Sequence, residues 1–134
     1  MAPLMQTFPF TSVFTFIFTI HIIYLAMQVV RLRRKYQVGY GDGKNTHLRK
    51  AIAAHSNAVE NIPLALILIL LLELNQVNNE LILLLASLFL AARIFQAFGL
   101  LQSLGVSHGR TYGTMFSWIL MCAMGGINVF YIFF

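Results

Sequence analysis

The segment Leu48–Pro63, LRKAIAAHSNAVENIP, holds the residue types from which chemistry could be built: Arg49, Lys50, His55, Asn57, Glu60 and Asn61. It runs without a break into the apolar stretch Leu64–Leu72. A carboxylate and a carboxamide joined in this way to an apolar helix must lie at or below a membrane surface. An ionisable group there is expensive and marks a functional site by default. At about 100° per residue, Arg49, Ala53, Asn57 and Glu60 share one stripe roughly 80° wide. Lys50 and Asn61 stand at its edge, and His55 projects elsewhere, towards a neighbouring helix or another subunit. The stripe suits a zwitterionic ligand. Glu60 can pair an ammonium, Asn57 can hydrogen-bond amide groups, and Arg33 and Arg34 can grip carboxylates through the planar guanidinium fork.

Arg110 adds a second kind of chemistry. It follows Gly109 at the mouth of the last apolar run. A cation there can stabilise a thiolate or another developing anion at the membrane boundary. A free thiol titrates near ~8.5, and a nearby arginine favours its nucleophilic form at neutral pH. Plainer readings stand beside these. Glu60 could form an internal ion pair with Arg93 of the third apolar run, stabilising the bundle without any ligand. Arg33, Arg34 and Arg110 could serve only to orient the chain or to face lipid headgroups. His55 could be an ordinary hydrogen-bonded helix residue. His21 has no partner at metal-ligand spacing, so no metal site is expected. The string VGYGDG (38–43) has neither the preceding strand nor the GK[ST] ending of a phosphate loop and reads as a turn-rich connector.

The elements that must position these residues are apolar helices. The chain has 134 residues, of which 59% are hydrophobic and 10% charged, where a soluble domain is nearer a quarter charged. Its mean hydropathy is +0.78. Four runs, at about 9–31, 51–74, 81–101 and 112–134, each approach the ~20 residues needed to cross a bilayer. The fold class expected is therefore an all-α membrane protein, one domain over residues 1–134, built as an antiparallel bundle of four transmembrane helices. Thr46 is the expected N-cap of the second helix, Pro63 should kink it or free a carbonyl, and the fourth run reads as apolar to its end. The first run lacks a basic leader and a small-residue cleavage site and reads as a retained span. The single Cys122 excludes an intrachain disulfide and reads as a small filler.

The net charge of +5 is distributed by topology. Arg31, Arg33, Arg34, Lys35, Lys44, Arg49 and Lys50 surround the first connection, and Arg93 and Arg110 flank the third. The opposite side carries Glu73 and Glu80 and no Lys or Arg. The positive-inside rule then places loops 32–48 and 102–110 in the cytoplasm and both termini outside. The basic balance is topogenic, and no nucleic-acid role is expected.

These residues resemble a known pattern. Ala54-His55-Ser56-Asn57-Ala58-Val59-Glu60-Asn61-Ile62-Pro63 resembles the second-helix signature of the MAPEG family, the membrane-associated proteins in eicosanoid and glutathione metabolism, of the microsomal glutathione transferase type. Gln28-Val29-Val30 followed by Arg33-Arg34 is similar to the end of the family's first helix, Arg93-x-Phe95-Gln96 to its third, and Arg110 to the arginine that opens its fourth. The short loops resemble a bacterial member, in the inner membrane. The resemblance implies a homotrimer that binds glutathione as co-substrate at subunit interfaces near the cytoplasmic side. By position, Arg33 and Arg34 would meet carboxylates, Asn57, Glu60 and Asn61 the peptide and its amino end, and His55 the ligand across the interface. Arg110 would stabilise the thiolate, with Gln28, Arg49, Arg93 and Tyr112 in support. Many members carry an arginine where this chain has Ala53, and two third-helix positions that are tyrosine in one branch of the family read Ile94 and Phe98. Fewer contacts to glutathione are expected as a result.

The function expected is a membrane glutathione transferase, with peroxidase activity as an extension, acting on hydrophobic electrophiles or lipid hydroperoxides that arrive through the bilayer. Two alternatives stay open: a non-catalytic lipid- or ligand-binding or scaffold protein on the same fold, and a small proton-coupled transporter. The transporter is disfavoured because Glu60 reads as close to one face and no polar residue continues a path through the rest of the bilayer.

Overall fold

The computed structural model describes residues 7–102, 105 and 107–134. They form four helices: α1 (Pro9–Tyr36), α2 (Thr46–Leu74), α3 (Asn79–Gln102) and α4 (His108–Phe133). Each is long and apolar enough to cross a membrane. At 1.5 Å per residue they run about 36–43 Å, longer than a ~30 Å hydrocarbon core, so their ends reach into the polar zones.

The helix ends explain where the basic residues lie. α1 continues through Tyr36, so Arg33, Arg34 and Lys35 stand in its last turn rather than in a loop, where a cation complements the helix dipole. The chain leaves α1 through Gln37 in the left-handed region, and the Val38 N–H returns to the Arg33 carbonyl at 3.0 Å. The first connection is thus 37–45, shorter than 32–48. The cap of α2 is Asn45, not Thr46: its side chain accepts from the Leu48 N–H at 3.0 Å, and Thr46 is the first helical residue. α2 passes through Pro63 as one helix; proline has no N–H, so the Val59 carbonyl loses its regular partner. Arg110 lies within the first turn of α4, capped by Ser107, whose hydroxyl accepts the Arg110 N–H at 3.2 Å. Of the expected third connection, Ser103, Leu104 and Val106 lie outside the described residues.

At the other end α1 starts at Pro9 with no cap from Phe8. Glu73 of α2 supplies one instead. Its carboxylate accepts from the Phe10 N–H at 2.9 Å, the Thr11 N–H at 2.8 Å and the Thr11 hydroxyl at 2.5 Å. These N–H groups have no intrahelical partner, so an anion there is doubly favourable.

Packing follows a 3–4 spacing on α2. Leu48, Ala51, Ala54, Ala58, Ile62, Ala65, Ile69 and Leu72 are buried on one face, with alanines across the basic half. α2 touches the other three helices, the broadest contacts are α3 with α4 and α1 with α2, and α1 and α4 do not approach each other. Phe18 and Phe89 meet edge to face at 5.7 Å in the core. The close seam of α3 and α4 rests on glycine. A Cβ on Gly113 would stand 2.7 Å from the Gln96 Cβ, and one on Gly99 would overlap the Arg110 backbone nitrogen. Small residues let membrane helices approach until backbone and short polar side chains can bond. The fourth helix is not apolar throughout: Ser117 and Asn128 are buried in it. Large apolar side chains such as Phe16, Ile67, Leu84 and Ile119 face outward, which suits a lipid surround.

Candidate functional site

The stripe on α2 divides in two. Asn57 turns towards α3, where the Arg93 guanidinium donates to both its side-chain and its backbone oxygens, the latter at 3.2 Å. The Asn61 amide donates to the Asn57 carbonyl one turn back at 2.9 Å, and its own oxygen accepts from the Trp118 indole of α4 at 3.3 Å. Arg93, Asn57, Asn61 and Trp118 therefore form a hydrogen-bonded belt across three helices. Glu60 takes no part in it. It is exposed, on the side of α2 away from the buried face. The internal Glu60–Arg93 ion pair considered from sequence is replaced by Arg93–Asn57, because the helical offset places Asn57 next to α3 and turns Glu60 outward. The Asn57 oxygen is thus already engaged, leaving its N–H groups for any ligand.

Depth sharpens the point. Glu60 is the midpoint of α2, about 21 Å from either end. Its carboxylate looks out of the bundle from the middle of a helix long and apolar enough to cross a membrane.

Arg93 is 2% exposed, and its Nε and Nη1 have no partner among the described residues; the same holds for Oε1 of Gln96, which is 1% exposed. The amide nitrogen of Gln96 donates to the Thr114 hydroxyl of α4 at 2.5 Å.

The remaining expected site residues sit around this belt. The Arg33 guanidinium is turned onto its own connection, donating to the Gly41 carbonyl at 2.8 Å and the Val38 carbonyl at 3.4 Å. Arg34 is exposed on the outer face of α1, at the end of an apolar groove with Met27 and Val30. Arg49 pairs with Asp42 at 2.6 Å. The N–H of Lys44 and the Arg49 side chain hold the Asp42 carboxyl below its usual range. Lys50 caps the end of α3 through the Gln102 carbonyl at 3.0 Å. Gln28 donates to the Tyr24 hydroxyl at 3.0 Å, and His55 is half-buried on the flank of α2 opposite Asn57. Arg110 is exposed at the start of α4, two residues before Tyr112, whose ring stacks on His108. Ile94 and Phe98 are exposed on α3.

The sequence reading did not single out Thr114, Ser107, Trp118 or Asp42. The spacing Gly109-x-x-x-Gly113 was the available signal for the α3–α4 seam. The end of the bundle away from the basic residues also holds an unanticipated polar clamp: Asn75 donates to Asn128 at 2.9 Å, and Asn128 to the Leu68 carbonyl at 3.1 Å. Polar groups therefore do occur in that half of the bilayer. They are closed on one another.

The chain is similar to the inner membrane protein YecN of Escherichia coli K12, with 35% identity over 106 residues that cover 79% of each chain. YecN of the O6:H1 strain of Escherichia coli matches to the same extent. With four spans and inner-membrane relatives, it is an integral, multi-pass inner-membrane protein. The family model described as MAPEG matches residues 11–130, nearly the whole of the four-helix unit, and the chain belongs to the MAPEG family.

Proposed function

We propose that this protein is a membrane glutathione transferase whose glutathione site lies along the outward stripe of α2 and is closed by a second copy of the chain in a homotrimer. The observation that carries the reading is Glu60, a carboxylate facing out of the bundle at the middle of a membrane-spanning helix. Such a group facing lipid is costly by several kcal/mol, roughly 2.5–3.5 on insertion scales. The ammonium of glutathione, held between copies, supplies the counter-charge. The MAPEG family includes glutathione transferases, which is in keeping with that choice of ligand.

The rest of the site serves a thiolate. The belt of Arg93, Asn57 and Asn61 fixes the wall beside Glu60. Arg34 offers a cation for a carboxylate, and His55 reaches across the interface. Arg110 stands in the first turn of α4, where its charge adds to the positive end of the helix dipole and favours the deprotonated sulfur. The thiol proton leaves to water. The sulfur lone pair forms an S–C bond to an electrophilic carbon arriving from the bilayer, and the bond to the leaving group breaks with its electron pair. Positioning and charge stabilisation are the protein's part.

The test is purified protein with glutathione and a chromogenic aryl halide. The reading expects glutathione-dependent conjugation, and a rise in melting temperature with glutathione in wild type but not in Glu60→Ala, since a ligand of the native state must stabilise it. Neither rate nor thermal shift in the wild type would refute it.

A second reading, a lipid- or ligand-binding protein without catalysis, draws on Arg33 and Arg49. Both are engaged within their own connection, on Gly41 and on Asp42. In that case lipid raises the melting temperature and glutathione does not.

A further inference from the structure

The first turn of α4 is tied to α3 by two relays that converge on a single residue. On one side, the Gln96 amide donates to the Thr114 hydroxyl at 2.5 Å, and that hydroxyl donates to the Arg110 carbonyl at 2.7 Å. On the other, the Arg110 N–H donates to the Ser107 hydroxyl at 3.2 Å, and that hydroxyl donates to the Gly99 carbonyl at 3.2 Å. Both backbone polar groups of Arg110 are therefore connected through a hydroxyl to α3.

Stability alone does not account for Gln96. It is 1% exposed, and its Oε1 has no partner among the described residues. A buried orphan acceptor costs about 1–3 kcal/mol, which an apolar side chain of similar shape would avoid. What the amide gains is direction. Gly113 removes the side chain that would collide with Gln96, so the amide reaches Thr114 and, through it, the turn that carries Arg110. An arginine is long, and a small rotation of its turn moves the guanidinium far.

We infer that Gln96 and Thr114 are positioning residues for Arg110, setting where its charge stands relative to the glutathione sulfur. This rests on the transferase reading above. Neither residue touches the reacting atoms; they act through the Arg110 backbone.

The experiment compares Thr114→Val, Thr114→Ser and Gln96→Met with the wild type. It measures the thermal shift with glutathione, thiolate formation by ultraviolet absorbance across pH, and kcat/KM for an aryl halide. In Thr114→Val, glutathione still raises the melting temperature. The midpoint of thiolate formation moves to higher pH, and kcat/KM at neutral pH falls roughly ten- to a hundredfold, the gap closing as pH rises. Gln96→Met reproduces this, and Thr114→Ser, which keeps the hydroxyl, has the wild-type profile. The inference is overturned if both hydroxyl- and amide-less variants keep the wild-type pH profile, or if each loses activity by one factor at every pH, as a smaller folded fraction would. A wild type that forms no thiolate overturns the transferase reading itself, and the role assigned to Gln96 and Thr114 goes with it.

Discussion

The two ends of the bundle handle polar groups in opposite ways. At the acidic end Glu73 satisfies two N–H groups and a hydroxyl of α1, and Asn75, Asn128 and the Leu68 carbonyl close on one another. In the basic half Glu60 looks outward, and the buried side-chain polar atoms without partners among the described residues are all on Arg93 and Gln96. The first arrangement fastens the helices to one another at that end of the bundle. In the second, hydrogen bonding within the chain is incomplete among the described residues. The difference separates polar residues that bond the helices to one another from Glu60, the outward carboxylate to which the proposed function assigns a ligand.

The sharpest way to break this contrast is to neutralise one carboxylate in each region. Glu60→Gln should weaken glutathione binding about a hundredfold, roughly 2.7 kcal/mol, while changing ligand-free stability by less than about 0.5 kcal/mol. Glu73→Gln should do the reverse, lowering stability by about 1–3 kcal/mol with glutathione affinity unchanged. Glutathione titration by calorimetry and denaturant unfolding in detergent read both quantities. Equal effects of the two variants on binding would erase the distinction.

The glycine seam offers the next test. Gly113→Ala places a methyl 2.7 Å from the Gln96 Cβ and should destabilise by about 1–3 kcal/mol, as overpacking does. Gly126→Ala, in the same helix but with open space around it, should change stability by less than about 1 kcal/mol. Thermal unfolding of the two variants compares them directly. At the acidic end Asn128→Leu removes the bonds to Asn75 and Leu68 and should cost about 1 kcal/mol, the scale of interhelical hydrogen bonds in membranes, with conjugation unaffected.

The smallest effect is the pH dependence of the first connection. Asp42 titrates below its usual value because the Lys44 N–H and Arg49 hold the ionised form. Its contribution is therefore fully present above about pH 3.9 and lost as pH falls through the lower folded value. The melting temperatures of wild type and Asp42→Asn should differ near neutrality and converge in that acid window. A difference that persists below it would assign the effect to another group.

The sequence by itself determined the four spans and the family, and it singled out Leu48–Pro63 as the candidate site. Apolar run length sets the number of crossings, and a carboxylate inside such a run is conspicuous without coordinates. Helical periodicity placed Asn57 and Glu60 on a common stripe, which is correct as angle but too coarse to say what each meets. Only the packing decided that Asn57 faces Arg93 while Glu60 faces out, because the axis of α3 passes on one side of that stripe. The helix ends, too, were set by local partners rather than by hydropathy, with Asn45 and Ser107 capping and α1 running on through its arginines. The relay from Gln96 through Thr114 to Arg110 joins residues whose meeting depends on two helices approaching over glycine. The Gly109-x-x-x-Gly113 spacing signals a close seam but not which helix lies against it; the approach itself is set by the volumes that Gly99 and Gly113 leave empty.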